Sequence, residues 1–511
     1  DQFRADYVEQ YGGQWTSGLR RLMSDGAWFR AAAYRHMAAM TCVGHSNIVT
    51  GSYPSTHGII ANSWWDRGAA KALGCVVDAG QTLVSYAGQT KGSGTSAQRL
   101  LAPALPDEMR LQLPVAPRVV TLSLKDYTAT MLAGRRADAA TWFDSEARGW
   151  ATSTAFTQTP IPFVQSFIAA NPIDRQVDAV WSKLLPEVAY RHEDEGTGEK
   201  GAPQWTSRFP HPLKPASGAA DAQFYEAWQS SPFSDAYLAK MAEAAVDAMK
   251  LGQCEGTDYL AISFSALDLV GHDFGPRSHE VQDLLAHLDR TLGALFDHLD
   301  RSVGPDRYVL ALTADHGVAP IPEQARAAGL SAGRLATADL FARINKALEP
   351  TLGPGSHVAR LSYTDLYFQP GVWDKLRADP KAVREVMDAA ASMPGIARVL
   401  RADELEGGKD SCDRIARAAA LNYLRGRSGD LIIVPEPYFF FSGGTTGTAH
   451  GSPYDYDQRV PLFLLGQGIK KGQYLGDASP VDIAPTLAWL CGVTMASADG
   501  RVLAEALQPP S

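Results

Sequence analysis

The chain is expected to fold as an α/β protein: short apolar runs alternate with helical patterns, and two of the runs stop abruptly in residues that ligate metals. Val119-Val120-Thr121-Leu122, Tyr259-Leu260-Ala261-Ile262, Tyr308 to Leu312, Leu431-Ile432-Ile433-Val434 and Leu462-Phe463-Leu464-Leu465 are nearly continuous in apolar and β-branched residues, as strands covered on both faces are. Between them Leu238, Met241, Ala245 and Met249 recur at helical spacing behind Ser234, a candidate N-cap. Leu284, Leu288, Leu292, Leu295 and Leu299 mark a second amphipathic helix.

Two intervals interrupt the alternation. The stretch from Arg191 to Ala222, rich in Gly, Pro and charge, lies within an interval of approximately 128–234, read as an insertion capping the site. Residues of about 320–429 form a second insertion. No internal repeat is present, and the whole of 1–511 is read as a single catalytic domain with these excursions.

Bulk properties exclude several classes. With 45% hydrophobic and 20% charged residues the chain is neither fibrous nor disordered in composition. No apolar run approaches the roughly 20 residues that span a bilayer. A formal charge of -9 argues against nucleic acid as the main partner. A small anion is still admissible, because bound cations reverse the local field. The five cysteines are scattered without a C-x-x-C, so a thiolate zinc site is disfavoured; one or two disulfides are possible and at least one thiol stays free. No signal peptide is legible, and the start at Asp1-Gln2-Phe3 is abrupt, as in a trimmed sequence.

The chemistry concentrates in four segments. Asp268 and His272 stand four residues apart after one strand, Asp315 and His316 follow another, His450 lies in a glycine-flanked loop, and Asp1 opens the chain. Each pair alone is as well explained by a surface contact or a turn; their joint recurrence at strand ends favours a metal centre. Three histidines with three aspartates suit zinc better than magnesium or calcium. Thr41, in Met40-Thr41-Cys42-Val43-Gly44-His45-Ser46, is the candidate nucleophile, since a metal and a helix N-terminus would both activate its hydroxyl. The plainer reading is an N-cap threonine. Cys42 is a rival with only His45 nearby to stabilise a thiolate. His45 and His57 are expected to be structural.

These motifs resemble the alkaline phosphatase superfamily, and within it the phosphate-irrepressible, monomeric bacterial alkaline phosphatases with a threonine nucleophile. The resemblance runs through Asp1-Gln2-Phe3, Thr41 to His45, Gly58-Ile59-Ile60-Ala61-Asn62-Ser63-Trp64, Leu124-Lys125-Asp126, Asp268 to His272, Thr313 to Gly317 and Ala449 to Pro453. It implies a mostly parallel central sheet with helices on both faces, and two zinc ions. One zinc would be held by Asp268, His272 and His450, the other by Asp1, Thr41, Asp315 and His316. It also implies a phosphothreonine intermediate at Thr41, a hydrogen bond from Asn62 to a phosphate oxygen, and charge stabilisation by Lys125. A small-molecule phosphate ester as substrate, a monomer, and a periplasmic or secreted location follow from the same resemblance.

Two departures stand out. Tyr127 occupies the place where the similar monoesterases carry an arginine, which removes a bidentate grip on a dianion and leaves a donor and an aromatic face. A phosphodiester therefore becomes the expected substrate, with Tyr127 contacting it, unless another arginine arrives from the cap. The alternatives are an alkaline phosphomonoesterase and, in another class, a non-catalytic phosphate-ester-binding protein. A sulfatase is disfavoured because Gly44 and Ser46 stand where its C-x-P-x-R signature needs proline and arginine. The second departure is Asp1 itself, which in the family follows a buried strand; that strand and a signal peptide are expected to precede it.

Overall fold

A computed structural model describes residues 1–87 and 92–508. Two sheets carry the ligand motifs. In the larger, Tyr259–Ser263, Val119–Ser123 and Ala139–Asp144 pair in parallel, and Gly149–Ser153, Val77–Ser85 and Ser93–Thr95 continue antiparallel. In the second, the order is Val309–Thr313, Leu462–Gly466, Ala27–Phe29 and Gly472–Tyr474, with only the last pair parallel. The α/β class is as expected, but the sheets are mixed rather than mostly parallel. The reason is local: Ala139–Asp144 returns directly as Gly149–Ser153 through a turn in which Asp144 Oδ1 accepts from the amides of Glu146 and Ala147, too short for a parallel crossover.

The strands Tyr259–Ser263 and Val309–Thr313 each lie at the end of their sheet and are mostly half-buried instead of covered on both faces. Their continuations meet at Asp1, whose ammonium group donates to Phe264 O at 3.2 Å and lies 3.9 Å from Asp315 Oδ1. Strand ends that are far apart in sequence thus converge on one point.

Both expected insertions have different bounds in the structure. Residues 139–153 belong to the main sheet, so the first excursion narrows to the irregular stretch that follows, whose Trp181, Trp205, Phe224 and Trp228 join the main core. The run Leu431–Pro435 leaves the central sheet altogether. It pairs with Asp365–Phe368 and Ile396–Arg401, next to Val358–Ser362, in an antiparallel sheet with its own core of Leu340, Ile344, Leu366, Val383 and Ile433. A continuous apolar run reports burial on both faces and is silent about which strands are its neighbours.

Two helices organise the core. Pro232–Met249 begins at Ser231, with proline in its first turn, while Ser234 lies inside the helix and donates to Ser231 O at 3.0 Å. His279–Ser302 is capped by Ser278, whose Oγ accepts from Val281 N at 3.2 Å. Its buried face holds the first excursion in place: Asp283 accepts from Trp181 Nε1 at 2.7 Å and Leu184 N at 2.6 Å, and Glu280 Oε1 lies 2.8 Å from His211 Nε2. Burial pushes the Glu280 carboxyl well above the usual range and depresses His211 to about 4, so the neutral acid donates to the neutral imidazole.

The sign of this pair's pH dependence follows. Above the ordinary carboxylate range the folded chain keeps a proton on Glu280 that the unfolded chain has already released, so stability falls as pH rises through that region. Glu280→Gln keeps a donor and is expected to flatten that slope in thermal unfolding, whereas Glu280→Ala costs about 1–3 kcal/mol at pH 7. A Gln variant with an undiminished slope would refute the protonated assignment.

Candidate metal centre

Thr41 is the first residue of the helix Thr41–Thr50, is 2% exposed, and places Oγ1 3.1 Å from His316 Nε2. The helix can approach Asp315 only because residue 44 is glycine; a Cβ there would lie 2.3 Å from Asp315 O. His45, one turn on, accepts from Ser263 Oγ at 2.9 Å through Nε2. Its Nδ1 donates to Thr41 O at 2.9 Å and lies 3.3 Å from Asp315 Oδ2. It ties the helix to both strand ends. His57 instead faces Asn47, 2.7 Å away, and accepts from Ile59 N.

Two groups of ligand-type residues form, Asp268 with His272 and His450, and Asp1 with Asp315 and His316. In the first, Asp268 Oδ1 lies 3.4 Å from His272 Nε2 and 3.7 Å from His450 Nε2. In the second, His316 Nε2 lies 3.2 Å from Asp315 Oδ2 and 3.5 Å from Asp1 Oδ1. The residue set fits metal on a further ground. His272, His316 and His450 each place Nδ1 2.8 Å from a backbone carbonyl, of Thr448, Gly317 and Ala39. A carbonyl only accepts, so each Nδ1 carries a proton, and Nε2, the nitrogen left for a metal, is the one turned towards the carboxylates. Buried Asp1 Oδ1 and Asp315 Oδ2 have no hydrogen-bond donor. Burial, with His316 and His272 nearby, holds His450 well below its ordinary value and therefore neutral. Burial works to raise Asp268 and Asp315, but Lys125 and His272 for the former, and His316 and His45 for the latter, hold both well below the carboxylate range.

Lys125 spans the two groups, with Nζ 2.6 Å from Asp1 Oδ2 and 2.5 Å from Asp268 Oδ2. Asn62 Oδ1 accepts from Cys42 N at 2.7 Å, which caps the Thr41 helix and fixes the side-chain amide of Asn62 beside Thr41. The carbonyl of Asn62 accepts from Cys75 N at 2.9 Å, and Cys42 and Cys75 form a disulfide. Cys42 is therefore no rival nucleophile; Cys254, Cys412 and Cys491 remain free thiols. Tyr127 packs against the apolar cluster that contains Trp64, and burial, with Asp268 and against Lys125, raises its phenol.

Other residues at the site escaped sequence reasoning. Gln2, 1% exposed and with φ of 57°, bridges the groups: its amide donates to Asp315 Oδ1 at 3.0 Å and its Nε2 to Asp268 Oδ1 at 2.7 Å. Gly271 makes room for it, since a Cβ there would overlap Gln2 Oε1. Asp457 accepts from the amides of Gly451 and Ser452, setting the loop that carries His450. From the second inserted region, Ser362 Oγ donates to Ser63 O at 2.5 Å and fastens the turn bearing Tyr363 beside Asn62. Arg360, near Tyr363, has a buried Nε without a partner. Only the Gln next to Asp1 left a signal, a polar residue where an apolar strand would continue.

A buried threonine at a helix end, facing two carboxylate–imidazole groups across a lysine, defines a hydrolase-type metal centre. The chain belongs to the type I phosphodiesterase / nucleotide pyrophosphatase family, whose model matches residues 1–457. It is 30% identical to alkaline phosphatase PafA of Elizabethkingia meningoseptica, over 99% of this chain and 93% of that protein. It is 33% identical to alkaline phosphatase PhoK of a Sphingomonas species, over 98% and 89%. The crystal structure of PafA superposes with a TM-score of 0.91 at 29% identity, covering 99% of this chain and 97% of that one. A PafA mutant altered at a threonine, an asparagine, a lysine and an arginine matches equally, with a TM-score of 0.90. The chain is accordingly a phosphoric ester hydrolase of the alkaline phosphatase type, with a metal cofactor. Among the described residues no helix is long and apolar enough to cross a membrane.

The disulfide joins the segment carrying Thr41 to the hairpin that follows Asn62. Cys75→Ser is expected to lower stability by about 2–4 kcal/mol in chemical denaturation; an unchanged unfolding midpoint would deny it that role.

Proposed function

We propose that the chain hydrolyses small-molecule phosphoesters through a phosphothreonine at Thr41, with two zinc ions. Asp268, His272 and His450 would hold one, and Asp1, Thr41, Asp315 and His316 the other. The observation that carries this reading is the common orientation of three imidazoles, each with Nδ1 bound to a carbonyl and Nε2 turned towards an aspartate, with Thr41 Oγ1 3.1 Å from one of them. Zinc when bound would supply Lewis acidity at the attacking and leaving oxygens. Thr41 Oγ1 attacks phosphorus and the alcohol departs; water then cleaves the phosphothreonine and returns the hydroxyl. The Asn62 amide, its oxygen engaged by Cys42 N, donates to a non-bridging oxygen. Lys125 stabilises the negative charge that redistributes in the transition state.

The altered positions in the PafA mutant support the assignment. Its threonine and asparagine stand as far apart in sequence as Thr41 and Asn62, and its lysine and arginine are two apart, as Lys125 and Tyr127 are. Tyr127 in the arginine's place is the ground for proposing phosphodiesters as the preferred substrates. Preference for monoesters is the second reading, favoured by the names of the relatives and by Arg360, whose buried Nε has no partner among the described residues and which lies near Tyr363, the tyrosine beside Asn62. A monomer in the periplasm or outside the cell suits the Cys42–Cys75 disulfide, which needs an oxidising compartment.

Thr41→Ala is expected to reduce kcat/KM by roughly a thousandfold or more while zinc content, measured by elemental analysis, is retained. Chelation should abolish activity and zinc restore it. Substantial turnover by Thr41→Ala would rule out the covalent route. For substrate preference, kcat/KM for aryl phosphate diesters is expected to exceed that for monoesters, and Tyr127→Arg to shift the ratio towards monoesters by about tenfold or more. Monoester preference in the unmodified enzyme, lost in Arg360→Ala, would establish the second reading.

A further inference from the structure

The hairpin that follows Asn62, Ser63–Asp66 paired with Lys71–Gly74, walls a cleft of about 270 Å³ that plays no part in the proposed metal centre. Trp64, Asp66, Arg67, Leu73, Arg99 and Arg427 line it. Three guanidinium groups thus face one carboxylate in a chain whose formal charge is -9. One oxygen of that carboxylate is engaged locally, Asp66 Oδ1 accepting from Ala69 N at 2.9 Å in the hairpin's own turn, while its charge is felt by Arg99. Arg67 is paired with Asp430 at 2.8 Å. Arg99 and Arg427 form no ion pair among the described residues.

Arg427 is held by neutral groups, whereas the carboxylates of Asp78 and Asp66 act on Arg99 from nearby. Arg427 Nη1 donates to Gly58 O at 2.6 Å and Arg99 O at 2.9 Å, with its guanidinium 5.2 Å from the Trp64 ring. Arg99 Nη1 donates to the carbonyl of Val77. Burial first, and then the neighbouring Arg99, lower Arg427, as expected of a guanidinium set beside another cation with no carboxylate of its own. Their remaining N–H donors suit the several oxygens of a tetrahedral oxyanion.

We propose that this cleft binds a small oxyanion of the inorganic phosphate class at a site separate from the metal centre. The anion neutralises Arg427, takes up donors of Arg99, and braces Gly58 and Trp64, the two flanks of the segment that presents Asn62. The cleft stands on its own residues, whether or not Thr41 is the nucleophile.

Equilibrium dialysis of the zinc-loaded full chain against radiolabelled inorganic phosphate at low ionic strength tests the proposal. The unmodified chain is expected to bind two phosphates, one of which competes with substrate in the activity assay. Arg99→Gln should weaken the other by about tenfold or more while leaving competitive inhibition unchanged. Leu73→Glu, which introduces a carboxylate and removes no arginine, should do the same. Thermal unfolding of both variants checks that they are folded. If the unmodified chain binds only the competitive phosphate, or if either variant keeps the second, the cleft is a solvated patch of arginines and the proposal fails.

Discussion

A carbonyl oxygen has no proton to give, so His272, His316 and His450 must each carry a proton on Nδ1 and turn Nε2 inward. The carbonyls belong to Thr448, Gly317 and Ala39, in three separate stretches of chain, and the centre is therefore only as well ordered as those stretches. Each is tied in turn. Thr448 N donates back to His272 O at 2.8 Å, Gly317 N donates to Asp457 O at 2.7 Å, and Asp457 accepts from the two residues after His450. The imidazole tautomers are thus written by backbone hydrogen bonds well outside the ligand set.

Gathering three aspartates in a site this buried demands compensation, because desolvated carboxylates repel one another and lose hydration. The structure provides Lys125 between Asp1 and Asp268, His45 against Asp315, and the amides of Gln2 towards both groups. None of these contacts is local in sequence. The same economy appears at the first excursion, where Glu280 and His211 are buried as a neutral pair and no net charge is left inside.

Much of the site was legible because its ligands sit at strand ends, where the shift from an apolar run to Asp-His-Gly or to Asp-x-x-x-His is visible in the letters. The candidate ligands Asp268, His272, Asp315 and His316 are read that way, and Thr41 from its own segment, Met40 to Ser46. What escaped was set by tertiary register. Gln2 acts through a left-handed backbone turn, Asp457 through a loop, and Tyr363 and Arg360 through an antiparallel sheet whose pairing no periodicity announces. The fold divides likewise: the strands and the long helix His279–Ser302 follow from their patterns, whereas strand direction and the placement of Leu431–Pro435 depend on turns and partners elsewhere. The cysteines could be counted but not paired, since 33 residues separate Cys42 from Cys75.

The contact between Gly44 and Asp315 leaves no room for adjustment: the helix Thr41–Thr50 and the segment that follows Val309–Thr313 touch through backbone. Thr41 consequently has one address in the molecule, and under the proposed mechanism its oxygen cannot shift to suit a bulkier or less charged ester. Adaptation to a new substrate then falls to residues such as Tyr127, in the first turn of Asp126–Ala133, and Tyr363, in the turn between Val358–Ser362 and Asp365–Phe368. A hydrolase arranged in this way can change its diet by exchanging side chains at the rim while its reaction coordinate stays fixed.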